Sequence, residues 1–227
     1  MLKPTSGKIQ ILGGTPDDKR IRSRIGFLPE ESYLYPFLTG QETMRFFCRI
    51  FGLGRREAIE RSRLLLHQLG IADAAGRKIK EYSKGMQRRL GLSIALINNP
   101  DLLLLDEPTS GLDPIGSHEI KSLLRQLKDQ GKTILISSHL LPELQSLCDR
   151  IGILFQGHLL REGTVREVLE RKDTRCCQVS GLGDAAHGEL AAWIQAQGGR
   201  LEKDEPALQN LEDVFLQEIV TFKGKSR

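Results

Sequence analysis

Long apolar stretches and paired cysteines are both missing from this sequence. No run approaches the roughly eighteen or more apolar residues that a membrane-spanning helix needs, and the N-terminus lacks a signal-peptide pattern. The four cysteines form no C-x-x-C pair, which argues against a zinc site and a disulfide framework. We therefore expect a cytoplasmic chain, with the adjacent Cys176 and Cys177 as small apolar residues of a strand.

A large charge excess of one sign is missing as well. The 227 residues include 33 Lys and Arg against 29 Asp and Glu, interspersed along the chain, for a formal net charge of +4. Because no basic stripe alternates with aromatic residues, we expect no nucleic acid partner. The length is sufficient for one sizeable core and a small appendage.

The segment Asp101 to Pro114, with the sequence DLLLLDEPTSGLDP, is the most informative part of the chain. Leucines that end in Asp106 and Glu107 are typical of a strand buried on both faces of a parallel sheet. Such a strand delivers its charges to the carboxyl edge of the sheet, where α/β folds bind ligands. Pro108 prevents a simple helical continuation, so we expect both acidic side chains to be exposed at this edge.

Phosphoryl transfer is a chemistry that uses such an acidic pair. Asp106 would hold the water shell of Mg²⁺, and Glu107 would orient or deprotonate an attacking water. The alternative is that Asp106 only caps the next helix while Glu107 is solvated. The motifs on either side favour the first interpretation.

Two flanking motifs give the chain a resemblance to a known family. Tyr82 to Gln87 has the sequence YSKGMQ, and Ser137-Ser138-His139 follows a strand predicted at Thr133 to Ile136. The segment Asp101 to Pro114 lies between these two motifs in the chain. In chain order, the three stretches resemble the signature, the Walker B segment with its D-loop, and the switch histidine of ATP-binding cassette (ABC) ATPases. The resemblance implies an α/β fold: a P-loop NTPase-like ABC ATPase core with a mostly parallel sheet, a helical subdomain and a small C-terminal α+β appendage.

The resemblance also assigns roles to residues of this chain. Glu107 and His139 are the expected catalytic residues, and Asp106 and Glu30 are the expected Mg²⁺ ligands. From the residues alone, Ser83 is predicted to cap a helix whose first backbone amides form an anion site. By resemblance, that site meets ATP held by a second cassette in a head-to-tail dimer. The full set of expected nucleotide-binding residues is Ser83, Lys84, Gly85, Met86, Gln87, Asp113 and Glu30.

Glu30 departs from the pattern of the family. It follows a short apolar strand that Pro29 stops, at the place where the family has the glutamine of its Q-loop. A carboxylate still ligates Mg²⁺, but it adds negative charge beside Asp106 and Glu107. The alternative is an exposed loop glutamate without a role in the site.

The phosphate loop of the family is missing from the sequence. A nucleotide-binding member needs G-x-x-x-x-G-K-[ST], whose glycines let backbone amides wrap the phosphates while the lysine reaches their oxygens, and no such string occurs here. Met1 opens a segment that resembles the one following this loop, before a strand predicted at Lys8 to Leu12. We therefore expect a truncated gene product, a misplaced start or a trimmed fragment, in which the strand Leu102 to Asp106 lacks a backbone partner.

Local patterns predict the remaining elements. Thr39-Gly-Gln-Glu42 is a capping box, and the string SGLGDAAHG at 180–188 is predicted to be a loop.

We expect an ABC ATPase domain at 1–163, with its helical subdomain at about 39–98, and an accessory region at 164–227. Helices are predicted at 39–51, 55–69, 83–98, 114–130, 164–171, 189–197 and 210–222, and further strands at 24–28, 151–155, 158–161, 175–179 and 199–202.

The resemblance implies the ATP-binding and ATP-hydrolysing subunit of an ABC transporter, with ATP and Mg²⁺ as cofactors. Its partners would be a transmembrane permease, contacted by the loop from Glu31 to Phe37, and a second ABC ATPase subunit in a homodimer or heterodimer. The subunit would lie on the inner face of the membrane through the permease. The segment Asn210 to Leu216 resembles the C-terminal helix of exporter-type subunits, which favours export.

Two other functions stay open. A soluble ABC ATPase of DNA repair or translation is disfavoured, because the sequence lacks a second cassette, a coiled coil and a zinc pair. A non-catalytic ABC remnant that only binds a partner cassette is favoured by the missing phosphate loop.

Overall fold

The computed structural model describes residues 4–169 and 184–199. The chain divides into two compact units, which separate between Cys148 and Asp149. The division predicted from the sequence lies later, between residues 163 and 164, and stays a prediction. The strand predicted at 175–179 with its two cysteines, the helix at 210–222, and all of 199–202 except Gly199 lie outside the described residues.

Helices alternate with short strands in the first unit. The helices predicted at 39–51, 55–69 and 114–130 are confirmed to within one residue at each end, whereas the one predicted to reach residue 98 ends earlier. The described elements, in chain order, are α1 (Lys19–Arg22), β1 (Ile25–Leu28), α2 (Gly40–Ile50), α3 (Arg55–Gln68), 3₁₀ turns at Ala72–Ala74 and Ile79–Glu81, α4 (Lys84–Ala95), β2 (Leu102–Asp106), α5 (Pro114–Asp129), β3 (Thr133–Ser137) and α6 (Leu141–Leu147).

Polar side chains fix the starts of the long helices. Thr39 accepts a hydrogen bond from the backbone N–H of Glu42, whose carboxylate accepts one from the Thr39 N–H, and the predicted capping box is confirmed. Ser83 and Asp113 accept hydrogen bonds in the same way from first-turn N–H groups of α4 and α5. Each cap satisfies a backbone donor that the helix itself leaves without a partner.

The described strands of the first unit form a parallel sheet in the order β1-β2-β3. Leu105 of β2 lies opposite Leu28 of β1 and Ile136 of β3. The prediction that the strand Leu102 to Asp106 lacks a backbone partner is therefore wrong. The strands that precede and follow it in the chain return through helical crossovers and pair with both of its edges.

The strand predicted at Lys8 to Leu12 does not form. This segment makes only an isolated bridge between Ile11 and Gly14, with backbone hydrogen bonds of 2.8 and 2.9 Å. Leu12 and Gly13 have φ angles of 50° and 80°. Two consecutive left-handed residues turn the chain back on itself, so a tight turn replaces the extended segment.

The two faces of the sheet differ in exposure. Leu103 and Leu105 are 0% and 2% exposed and belong to the core that also includes residues of α2 to α5. On the opposite face, Phe27 and Leu135 are 59% and 64% exposed. The expectation that the strand at 102–106 is buried on both faces is therefore wrong, because Leu104, on this second face, is only half-buried. In β3, Thr133 and Leu135 are exposed on the same face.

The second unit contains an antiparallel hairpin of β4 (Arg150–Phe155) and β5 (His158–Thr164), followed by α7 (Val165–Leu169), and it also contains α8 (Asp184–Ala196). The hairpin confirms the sequence prediction. The loop predicted at 180–188 is wrong from Asp184 onward, because that stretch belongs to α8. An alanine-rich sequence favours the helix strongly enough to include Gly188 in its interior.

None of the described helices is long and apolar enough to cross a membrane.

Candidate active site

The carboxyl ends of the described parallel strands lie at one edge of the sheet. β2 ends at Asp106, which is in register with Ser137 at the end of β3, and Glu30 follows the end of β1 by two residues. Polar residues from three separate stretches of sequence are therefore delivered to the same edge, where ligands bind in α/β sheets.

Asp106 is held by the neighbouring strand. The Ser137 hydroxyl donates a hydrogen bond to the Asp106 carboxylate, and the residue is half-buried. Asp106 does not cap the following helix, because Asp113 occupies the N-cap position of α5. The carboxylate is thus positioned by the sheet and not by helix capping.

Glu107 has a left-handed backbone, with φ at 49°. Its N–H donates to the carbonyl oxygen of Ser137 at 2.9 Å. For a residue with a side chain this conformation costs about 1 to 2 kcal/mol, and such conformations concentrate at functional sites. Only 12% of the Glu107 side chain is exposed, so the expectation of an exposed carboxylate at this position is wrong.

Glu107 and His139 form a hydrogen-bonded pair. The Oε1 atom of Glu107 accepts a bond of 2.8 Å from the His139 backbone N–H and lies 2.8 Å from the His139 Nδ1. The Oε2 atom accepts a bond of 3.3 Å from the Ser138 hydroxyl. The His139 side chain is 69% exposed, so the imidazole is accessible while the carboxylate behind it is fixed.

The expected signature residues form the N-terminus of α4. The Ser83 hydroxyl accepts a bond of 3.2 Å from the Met86 N–H, and Ser83 and Lys84 are exposed. A Cβ added to Gly85 would lie 3.5 Å from the Leu112 side chain. The start of α4 therefore lies against the loop that follows Glu107.

Gln87 and Asp113 have structural partners within their own segments. The Gln87 amide donates to the Tyr82 carbonyl oxygen at 3.2 Å, and the exposed Asp113 accepts a bond of 2.8 Å from the Gly116 N–H. The nucleotide contacts expected of these two residues stay predictions.

Glu30 is exposed in the loop after β1, and its backbone is held by a residue that the sequence analysis missed. Arg88 donates a bond of 2.8 Å to the Glu30 carbonyl oxygen, and Arg88 is only 6% exposed. It shares the buried stripe of α4 with Leu92 and Ala95. The sequence signal for Arg88 is its spacing, because it lies four and seven residues before the apolar Leu92 and Ala95, on the same face of a predicted helix.

Mg²⁺ suits the donors at this edge. In residues 4–169 and 184–199, no group of three or more His, Cys, Asp or Glu side chains is arranged as a metal cage. Mg²⁺ does not require one, because it is usually bound by one or two carboxylates together with waters and substrate phosphates. The Asp106 carboxylate beside the Ser137 hydroxyl offers oxygen ligands of that kind.

Comparisons with known proteins point to one family. The family described as ABC transporter matches residues 1–110. An uncharacterized ABC transporter ATP-binding protein of Synechocystis is 33% identical over 243 residues, covering 96% of this chain and 69% of that protein. The lantibiotic transport ATP-binding protein SrtF of Streptococcus pyogenes is 38% identical over 162 residues, covering 71% of this chain and 69% of that protein.

A solved structure supports the same comparison. The chain matches cbiO1 from Clostridium perfringens, described as part of the ABC transporter complex cbiONQ, with a TM-score of 0.65 and 25% identity. The match covers 87% of this chain and 75% of cbiO1.

Proposed function

This chain belongs to the family of ABC transporter ATP-binding proteins, and on that premise we propose which of its residues hydrolyse ATP and what the transporter does. The family establishes an ATP-binding subunit with ATPase activity that powers transport. The observation that carries the assignment of roles is the Glu107 carboxylate, fixed against His139 at the carboxyl edge of the sheet.

Glu107 acts as the general base. Its Oε1 is engaged by His139, whereas the described contacts of Oε2 are limited to the 3.3 Å bond from Ser138. Oε2 is therefore the oxygen that orients the attacking water and accepts its proton. His139 holds Glu107 in place and, with its exposed imidazole, contacts the terminal phosphate.

Asp106 and Glu30 act as oxygen ligands for Mg²⁺. Asp106 lies at the end of β2 beside Ser137, and Glu30 is exposed in the loop after β1. When bound, Mg²⁺ neutralises charge on the phosphate oxygens. The protein's contribution is to hold the Asp106 carboxylate through the Ser137 hydroxyl.

A second ABC subunit, identical or different, provides the nucleotide that the signature residues contact. The N-terminus of α4 combines exposed Ser83 and Lys84 with first-turn N–H groups at the positive end of a helix, an arrangement that suits phosphate. Asp113, exposed at the start of α5, lies at the same interface. The residues Gly85, Met86 and Gln87 complete this surface.

A transmembrane permease is the other partner, and the subunit lies against the membrane through it. Tyr33, Tyr35 and Phe37 follow Glu30 in the chain and are 83%, 57% and 76% exposed. Aromatic side chains of this kind are enriched at protein interfaces. Export is the direction that we propose, because the sequence from Asn210 to Leu216 resembles exporter-type subunits and the relative SrtF is named for lantibiotic transport.

The replacement Glu107→Gln tests the assignment of the base. It keeps the size of the side chain and removes its ability to accept a proton. We expect the ATPase rate of the 227-residue chain to fall by about 100-fold or more, while binding of a fluorescent ATP analogue in the presence of Mg²⁺ is retained. Glu60→Gln is the matched control, because Glu60 is an exposed residue of α3 whose side chain pairs with Arg56.

Failure of the wild-type chain to bind ATP would contradict this proposal. That result would favour the alternative function, a cassette that supplies only signature residues to a partner, because no G-x-x-x-x-G-K-[ST] string occurs among these 227 residues. Binding and hydrolysis that survive the Glu107→Gln replacement would instead show that another residue is the base.

A further inference from the structure

A single buried arginine joins the loops that carry the candidate site. The Arg88 guanidinium donates to the carbonyl oxygens of Pro29 at 2.5 Å and Glu30 at 2.8 Å, in the loop after β1. It also donates to the Pro108 carbonyl oxygen at 3.2 Å and to that of Asp106. One side chain therefore bridges the backbone on both sides of Glu107 and the backbone of the Glu30 loop.

Burial of this charge is costly unless its donors are satisfied. Arg88 is 6% exposed, and burial lowers the pKa of its guanidinium, although the carboxylates of Asp106, Glu107 and Glu30 act in the opposite direction. Only a planar fork with several N–H groups can reach four carbonyl oxygens on two loops. The contacts therefore depend on arginine and not merely on positive charge.

The helix that carries Arg88 is packed closely against the same loop. A Cβ added to Gly91 would lie 2.6 Å from the Ser32 hydroxyl oxygen and 2.8 Å from the Leu28 side chain. A Cβ added to Gly26 would lie 2.2 Å from the Ala95 carbonyl oxygen. The contacts of α4 with β1 and its exit loop therefore leave no room for a side chain at Gly26 or Gly91.

We propose that Arg88 is a positioning residue that couples the N-terminal half of α4 to the Glu30 loop and to the Asp106–Pro108 backbone. The inference rests on the proposed function, in which these three segments contact the second subunit's nucleotide, the permease and Mg²⁺. A displacement of α4 is transmitted through one guanidinium to both loops. Arg88 itself acts on the reaction only through the backbone that it holds.

Arg61 supplies the matched control for a purely structural role. It is also an arginine that donates to backbone carbonyl oxygens of this region, those of Ile97 at 3.0 Å and Leu96 at 2.7 Å, just beyond the C-terminal end of α4. Its replacement by glutamine removes similar hydrogen bonds without touching the Glu30 loop or the acidic pair.

Hydrogen exchange of the full chain, followed by mass spectrometry, tests the coupling without requiring activity. For Arg88→Gln we expect amide exchange in peptides covering 29–34 and 106–112 to accelerate about tenfold or more, while peptides from α2 and α3 exchange as in the wild type. Arg61→Gln should leave both loops unchanged. Arg88→Lys, which reaches fewer carbonyl oxygens, should give an intermediate effect and serves as the test if the glutamine variant does not fold.

Steady-state ATPase kinetics provides the readout that a merely structural role would not move. We expect Arg88→Gln to lower kcat by about 10-fold to 100-fold with the KM for ATP changed less than about twofold, since displaced groups cost rate more than ground-state binding. Arg61→Gln should retain kcat.

Equal loop exchange in the Arg88 and Arg61 variants would overturn the inference, as would a uniform increase across the whole chain. If the wild-type chain hydrolyses no ATP, the proposed function fails, and the exchange pattern still decides the role of Arg88.

Discussion

Glu107 combines a largely buried side chain with a backbone conformation that disfavours any residue other than glycine. Its φ of 49° places it in the left-handed region, and its carboxylate is fixed by His139 and Ser138. Local strain of this kind persists only where surrounding contacts impose it. The site therefore exchanges some stability for the orientation of one carboxylate.

A comparison of glycine and alanine at position 107 measures that strain. Both replacements remove the carboxylate, but glycine adopts the left-handed region without a Cβ clash. We expect Glu107→Gly to be more stable to urea than Glu107→Ala by about 1 kcal/mol, while both lose ATP hydrolysis.

The same pair of substitutions at Glu60 is the control, because Glu60 lies inside the helix α3. There the order should reverse, with alanine more stable than glycine by about 1 kcal/mol. An alanine variant at position 107 that equals or exceeds the glycine variant would show that the backbone is not strained.

The sequence predicted the positions of Asp106, Glu107 and His139 at one sheet edge because each lies at or just beyond the end of a predicted strand, and their order matches a known family. It did not predict the burial of Glu107. The left-handed backbone at Glu107 places its side chain against His139, and nothing in the sequence Glu107-Pro108 indicates that conformation. Nor did it predict Arg88, whose carbonyl partners lie 18 to 59 residues away along the chain. Contacts of that range depend on the assembled fold.

At the scale of elements, hydrogen-bonded caps were the most predictable feature. Thr39 and Ser83 were assigned from local sequence, and each caps the helix that it precedes. The predictions of elements failed where the backbone adopts a conformation that the local residue pattern does not indicate. The apolar stretch at Lys8 to Leu12 is folded into a turn by left-handed residues, and Gly188 is included in α8 despite its low helix propensity.

The capping box of α2 provides a pH-dependent contribution to stability. Hydrogen bonds from the Thr39 N–H and hydroxyl lower the pKa of Glu42 below its ordinary value of 4.5. Because the folded state favours the ionised form, this contribution is fully present above pH 4.5 and is lost as the pH falls through the lower pKa of the folded state.

Glu42→Gln is expected to remove that dependence while retaining the cap, since glutamine also serves in capping boxes. Thermal unfolding between about pH 3 and about pH 7 should show a steeper loss of stability on acidification for the wild type than for the variant. Curves that run parallel over this range would show that the Glu42 carboxylate is not stabilised by folding.

At the scale of the whole molecule, the parallel sheet divides the first unit into a packed side and an exposed side. Leu103 is fully buried on one face, whereas Leu135, on the neighbouring strand, is 64% exposed on the other. Both residues are leucines in β-strands. Folding removes much more of the Leu103 side chain from water than of the Leu135 side chain.

Leu103→Ala is expected to reduce the free energy of unfolding by about 2 to 5 kcal/mol, because it creates a cavity in the core. Leu135→Ala should reduce it by less than about 1 kcal/mol, since an exposed side chain loses little burial. Urea unfolding of both variants checks the difference. A large cost at Leu135 would show that this face is covered in the protein in solution.

The strands of the parallel sheet are joined by chain segments of different length. β2 and β3 are joined by residues 107–132, whereas β1 and β2 are separated by residues 29–101, which carry α2, α3 and α4. The entropy lost on closing a chain segment grows with its length, by about 0.6 kcal/mol for each doubling. Closing the segment between β2 and β3, which brings Asp106 beside Ser137, therefore costs less entropy than closing the segment between β1 and β2. Arg88 bonds both the loop after β1 and the backbone after β2, so its bridging contacts form only when the longer segment is closed as well.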